Sequence, residues 1–290
     1  MPLYQKILFP LDYSPPCDAI LPYVCEMARR PDAELTVLHC LPLSVYAPIA
    51  GPDLGIAPAR PPGPVEREAE AERLATHCET SLESLAAHRI IADGDPAHAI
   101  VECVKKYGID LVMMPTHGAG QLRRLLLGSV AAKVLHDIGC PVWTAVHGHL
   151  LPNANANYRS IVCALASHSE EEHKVVMAAA ALASDRGARL TLVRVVEPPP
   201  PSWAQFTFEH QDSLIAYAQQ SLQATISECN ITAGIRVAYG SIPEGIHEAA
   251  LQEQADLIVV GRGHAREGMG RIWSHLYDTI RQAPCPVLSV

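Results

Sequence analysis

The stretch Met114-Pro115-Thr116-His117-Gly118, followed after nine residues by Gly128-Ser129-Val130-Ala131, brings together residue types suited to holding an anion. Its second part reads as the opening of a helix. The amides of Gly128, Ser129 and Val130 then belong to the unpaired N–H groups of a helix N-terminus, where the dipole favours negative charge. Gly118 and Gly128 have no side chain to block close backbone approach, and Ser129 adds a hydroxyl donor. The chemistry implied is anion capture. Ser129 lacks a Gly-x-Ser-x-Gly elbow and an obvious base, and no Gly-Lys-Ser/Thr phosphate loop is present, so no catalytic residue is assigned.

The elements that must position these residues alternate between strand and helix. Ile7 to Leu11 and Leu35 to Leu41 are apolar runs of strand length, separated by a helical stretch from Cys17 to Arg30. Glu66 to Ala87 has the charge spacing of a long amphipathic helix with a solvated face, and His88 to Ala92 is a third strand. Pro96 opens a helix reaching Tyr107, proline being favoured in a first turn. Leu111 to Pro115, a helix from Leu127 to Asp137, and a strand from Val142 to Val146 complete the series. Strands apolar on both faces and joined by helices form a parallel sheet covered on both sides. Ligands of such sheets sit at the carboxyl ends of the strands, which is where the glycine segment lies.

The plan occurs twice in the 290 residues. Ala33 to Leu38 recurs as Ala188 to Val193, Asp110 to Met114 as Asp256 to Val260, and Cys140-Pro141-Val142 as Cys285-Pro286-Val287. Residues 1–147 and 159–290 are therefore expected to be two domains, with 148–158 as linker. Pro42 to Pro64 and Glu197 to Trp203 follow the second strand of each copy. They read as extended surface loops or as flaps over a ligand crevice.

With strand order, spacing and repeat in agreement, the chain resembles the universal stress protein family. Gly118, the spacer Ala119 to Leu127, and Gly128-Ser129 match the family's glycine signature, and Ile7 to Ser14 matches its first strand ending in an aspartate, Asp12. The resemblance spans both copies. It implies two Rossmann-like domains of the adenine nucleotide alpha-hydrolase type, each a five-stranded parallel sheet flanked by helices, paired as a pseudo-dimer. It further implies a stress-response regulatory protein that binds an adenine nucleotide, ATP with or without magnesium, and turns it over slowly or not at all. Carried over by motif, Asp12 meets the ribose or adenine side, in keeping with acidic residues that accept ribose hydroxyls. Pro10, Leu11 and Cys40 line the base pocket, and Met114, Pro115, Thr116, His117, Gly118, Gly128, Ser129 and Val130 surround the phosphates. The family context makes His117 a loop residue near phosphate.

Two departures bear on that expectation. Pro115 stands where the family has its first glycine. It lacks an N–H and cannot adopt positive φ, and a lost hydrogen bond to a charged group costs roughly 1.5–3 kcal/mol, about ten- to a hundred-fold in affinity. In the second copy Ala166 replaces Asp12. Its loop, Gly261-Arg262-Gly263-His264 through Trp273 to Ser274, keeps the signature in neither of two registers. That copy is expected to bind nucleotide weakly or not at all, its Arg262, His264, Arg266 and Arg271 forming a solvated basic loop or an anion-attracting pocket. A non-binding scaffold acting through protein contacts is the alternative function.

Composition limits the partners. A formal charge of −9 with 22 Lys and Arg argues against nucleic acid or anionic membrane, which require a basic patch; the pair Arg123-Arg124 does not change this. Nine cysteines without a CxxC pair read as reduced thiols. With no signal peptide at Met1 and no apolar run near ~18–20 residues, the cytoplasm is the expected location. His147-Gly148-His149 has no neighbouring ligand set for a metal. A homodimer, an intramolecular pseudo-dimer and unidentified protein partners are the associations to expect.

Overall fold

The computed structural model describes residues 3–41, 62–82, 85–118, 127–145, 157–166, 170–198, 207–262 and 271–290. The spacer Ala119 to Leu126, the His147 to His149 fragment and most of the Pro42 to Pro64 stretch lie outside these residues, as do His264 and Arg266.

The chain divides into two compact units, one of Tyr4–Gln121 with Gly128–Cys140 and one centred on Pro141–Val290. In the first, β1 (Lys6–Leu11), β2 (Glu34–Leu41), β3 (Ala87–Asp93) and β4 (Leu111–Pro115) form a parallel sheet in the order β3-β2-β1-β4. They alternate with α1 (Pro15–Ala28), α2 (Pro64–Ser81), α3 (Pro96–Tyr107) and α4 (Ser129–Asp137). Ile7, Leu8, Phe9, Val37, Leu111 and Val112 are almost wholly buried, as expected for strands covered on both faces.

Local chemistry sets the ends of these elements. Ser14 caps α1 by accepting from the Cys17 amide, and Asp95 caps α3 by accepting from Ala97 N at 3.2 Å, each followed by proline in the first turn. α2 ends at Ser81, short of the expected Ala87. Its last carbonyls are closed by Leu82 N donating to Cys78 O, and Ala87 already pairs with Leu35 in the sheet.

The second unit repeats the sequence of elements with β6 (Ser160–Leu165), α5 (Glu170–Arg186), β7 (Arg189–Val196), α6 (Thr207–Cys229), β8 (Gly234–Tyr239), α7 (Ile242–Gln252), β9 (Leu257–Val260), α8 (Arg271–Gln282) and β10 (Val287–Ser289). Its parallel order, β8-β7-β6-β9-β10, repeats the arrangement of the first. β5 (Val142–Ala145), the last strand of the first copy, pairs antiparallel with β10, Thr144 opposite Val287.

One carboxylate does the same task in each copy. Asp110 accepts from the amides of Gln5 and Lys6 at 2.8 and 2.9 Å, and Asp256 from those of Arg159 and Ser160 at 2.7 and 3.0 Å. Each thereby locks the start of the fourth strand to the start of the first. Both copies belong to the Rossmann-like class of doubly wound sheets, and among the described residues no helix is long and apolar enough to cross a membrane.

Candidate functional site

At the carboxyl end of β1 the chain turns sharply into α1. Asp12 is exposed, and its Oδ1 accepts from Ser14 N at 3.0 Å. This turn holds Tyr13 at φ 56°, a left-handed conformation that costs a non-glycine residue about 1–2 kcal/mol. The other oxygen, Oδ2, lies against Gly118, so close that a Cβ on Gly118 would collide with it. A side chain on Gly118 would therefore have to push the Asp12 carboxylate aside.

Gly128 closes the other side. Its N–H donates to Thr116 O at 2.8 Å, and a Cβ on it would stand 3.0 Å from that same carbonyl. Gly128 is the N-cap of α4 and offers no side-chain oxygen, so the first amides of that helix have no cap from it. Asp12, Thr116, His117, Gly118, Gly128, Ser129 and Val130 thus converge on one strand-end region of the first unit.

Thr116 and His117 share a side-chain hydrogen bond, Oγ1 to Nδ1, of 2.9 Å. His117 Nε2 is buried and has no hydrogen-bond partner among the described residues, and burial holds the imidazole below its ordinary pKa. A neutral ring with one unsatisfied nitrogen is suited to meeting a ligand atom. Among the described residues no carboxylate engages the ring in the manner of a catalytic base's orienter.

Of the residues expected to line a base pocket, Leu11 is buried. Its carbonyl accepts from His39 Nδ1 at 2.8 Å. Pro10 O faces the Cys17 thiol at 3.7 Å. Cys40 is partly exposed near the end of β2, and burial with neighbouring Asp95 pushes its thiol up to about 11, so it is a neutral, weakly polar wall. Met114 and Pro115 stand inside β4 and are buried.

The position of Pro115 alters the reading of its missing N–H. It closes a strand beneath the loop and is not itself a loop residue. Pairing of Ile7 with Leu111 and of Ile161 with Leu257 puts Gly261 at the corresponding place in the second copy. A Cβ on Gly261 would lie 3.1 Å from Val175 of α5. A glycine in this register therefore serves close packing of the first helix on the fourth strand.

The second copy lacks the site's other parts among the described residues. Ala166 follows β6 where Asp12 follows β1. Where His39 stands in the first copy, opposite Leu11, the second has Arg194 opposite Leu165. Arg194 is buried, bonded to Glu172 Oε1 at 2.6 Å and to Ser221 Oγ. Sequence reading missed this pair and its first-copy counterpart, the Tyr13–His39–Glu70 cluster. An arginine set between Val193 and Val195 of β7 was the available signal.

A family model described as the universal stress protein family matches residues 3–145 and 157–290. The chain belongs to the universal stress protein family. Universal stress protein MJ0531 of Methanocaldococcus jannaschii is 30% identical over 142 residues, which are 48% of this chain and 81% of that protein. Universal stress protein YxiE of Bacillus subtilis is 28% identical over 145 residues, covering 48% of this chain and 97% of that protein. Each aligns with about half of this chain, as a single-domain relative of a tandem protein should. A universal stress protein structure from Archaeoglobus fulgidus shares the fold over 98% of this chain and 95% of its own, with a TM-score of 0.69 at 20% identity.

Proposed function

We propose that the first universal stress domain holds an adenine nucleotide, ATP with or without magnesium, at the strand ends between Asp12 and the start of α4. The chain then acts as a nucleotide-responsive regulatory protein of the cytoplasm. The observation that carries this reading is the pairing of two bare glycines with two fixed oxygens, Gly118 on the Asp12 carboxylate and Gly128 on the Thr116 carbonyl. Side chains there would displace the Asp12 carboxylate and the Thr116 carbonyl, which border the strand end where ribose and phosphates would meet backbone amides.

In this reading Asp12 accepts from ribose hydroxyls, and the amides of Ser129 and Val130 face the phosphates with the positive end of α4 behind them. The Ser129 hydroxyl donates alongside them, and His117 offers its unpartnered Nε2. Magnesium would neutralise charge on the phosphates. This reading assigns the site binding and gives no residue a catalytic role. The second domain, with Ala166 and the Arg194–Glu172 pair in place of Asp12 and His39, binds nucleotide weakly or not at all in this reading.

Isothermal titration of nucleotide-free protein with Mg-ATP tests the proposal. One site per chain, lost in Gly128→Val, supports it. Absence of any heat or thermal shift with ATP, ADP or AMP would leave protein contacts as the function.

A further inference from the structure

α2 is fastened to the first domain largely through polar and charged side chains. α1 buries Cys17, Ile20, Leu21, Val24, Cys25, Met27 and Ala28, whereas α2, longer by a turn, buries only Leu74 and Cys78. Its other attachments run in a stripe at helical spacing. Arg67 pairs with Asp93 at the end of β3. Glu70 Oε1 faces His39 Nε2 of β2 at 3.5 Å, both side chains mostly buried. The Arg73 guanidinium lies 3.9 Å above the ring of Tyr13, His77 Nε2 is 3.4 Å from Asp18 of α1, and Glu79 is 4.0 Å from Arg89 of β3.

The centre of this stripe is Tyr13, whose ring also meets His39 at 4.7 Å and His77 edge-on at 5.3 Å. Tyr13 is the middle residue of the turn that Asp12 closes onto Ser14. The carboxylate that touches Gly118 and the ring gripped by α2 are therefore adjacent residues on one tight, left-handed turn. A backbone shift of this turn at either residue is passed to the other.

We infer that α2 is an electrostatically latched cover whose release is coupled, through Tyr13, to occupancy of the strand-end site beside Asp12. The latch stands on its own geometry, while the coupling rests on the nucleotide reading above. A ligand that fixes Asp12 fixes the turn, holds Tyr13 under Arg73 and tightens α2. Weakening the grip of α2 loosens the turn and lowers affinity by the same factor, because coupling between two sites is reciprocal. The nucleotide signal thus leaves the domain as exposure or cover of the polar face of α2 and of the β1–β3 surface beneath it.

Hydrogen exchange of the full chain, read by peptide, decides between outcomes. Without nucleotide, Glu70→Gln/Arg73→Gln is expected to raise exchange across residues 64–81 by tenfold or more and leave α1 and β4 unchanged. Should that variant misfold, wild-type protein in 1 M KCl, where the screening length falls to about 3 Å, is expected to show the same selective acceleration of α2 over α1. Exchange in α2 unaffected by both would overturn the latch. With saturating Mg-ATP, wild-type α2 is expected to slow severalfold, and the variant to bind several times more weakly by titration. Binding without any change in α2 would overturn the coupling. If titration detects no binding to the wild-type chain, the nucleotide reading fails and the coupling with it, while the nucleotide-free exchange still decides the latch.

Discussion

The N–H of Gly128 donates to the carbonyl of Thr116 at 2.8 Å, joining the two halves of a motif that are ten residues apart in the glycine-to-glycine count of the chain. This single bond sets the start of α4 over the end of β4. It also leaves no room at Gly128, since a Cβ would sit 3.0 Å from the accepting oxygen. Gly128→Val is expected to destabilise the first domain by about 1–3 kcal/mol through overpacking. Mg-ATP affinity should fall more than a hundred-fold. Calorimetric titration beside a melting curve separates the two effects.

Gly118 and Asp12 form a second tight pair, and a double-mutant cycle measures it. Gly118→Ala alone forces the Asp12 carboxylate aside. In an Asp12→Ala background the added methyl group has nothing to strike. The cost of Gly118→Ala on stability is therefore expected to shrink in that background, with a coupling of about 0.5–3 kcal/mol. Simple additivity would mean that the carboxylate moves freely and that the glycine serves another purpose.

The alternation of elements, the duplication and the strand-end placement of the glycine motif were legible in the sequence because each has a periodic or spaced signature. Asp12 and Gly118 meet because the parallel order puts β1 beside β4, and the doubly wound pattern made that neighbourhood readable. The α2 cluster was not legible. Arg67, Glu70, Arg73 and His77 look in sequence like a solvated helix face, and only the fold reveals that Asp93, His39, Tyr13 and Asp18 stand opposite them. Pro115 also reads differently in the fold than in the motif. The motif places it at the edge of a phosphate loop, while the sheet places it as the last residue of β4.

That placement changes the expected result of Pro115→Gly. Pro115 is the last residue of β4, so its missing N–H is taken to lie on the strand side of the turn and not on the phosphate side. The variant is expected to keep Mg-ATP affinity within about threefold, judged against the ten- to hundred-fold that a lost charged hydrogen bond would imply. It should lose roughly 0.5–1 kcal/mol of stability from the added freedom of glycine in a strand. Tightening by tenfold would restore a phosphate contact at residue 115.

His117 predicts a pH effect with a definite sign. Burial depresses its folded-state pKa below the ordinary histidine value. The unfolded chain therefore binds this proton more readily, and the contribution of His117 to stability is present above its unfolded pKa of about 6.5. It is lost as the pH falls through the depressed folded value. Melting temperatures from pH 7.5 to 5 are expected to fall less steeply in His117→Asn than in the wild-type chain. Parallel curves would show that the ring titrates as it does in the unfolded chain.

Glu172 and Arg194 offer the sharpest test of the second domain. Both side chains are more than nine-tenths buried, with Arg194 held by Glu172 at 2.6 Å and by Ser221. Thr225 also donates to Glu172 at 3.2 Å. Removing the carboxylate leaves a permanently charged guanidinium in the interior, because arginine does not shed its proton. Glu172→Ala is expected to cost about 3–5 kcal/mol. The double variant Glu172→Ala/Arg194→Met, which removes the stranded charge and refills part of its volume, should recover most of that loss. Mg-ATP binding to the first domain should be unchanged in any of these variants that remains folded. A Glu172→Ala protein as stable as the wild type would show that water reaches Arg194 and that the pair does not hold α5 to β7.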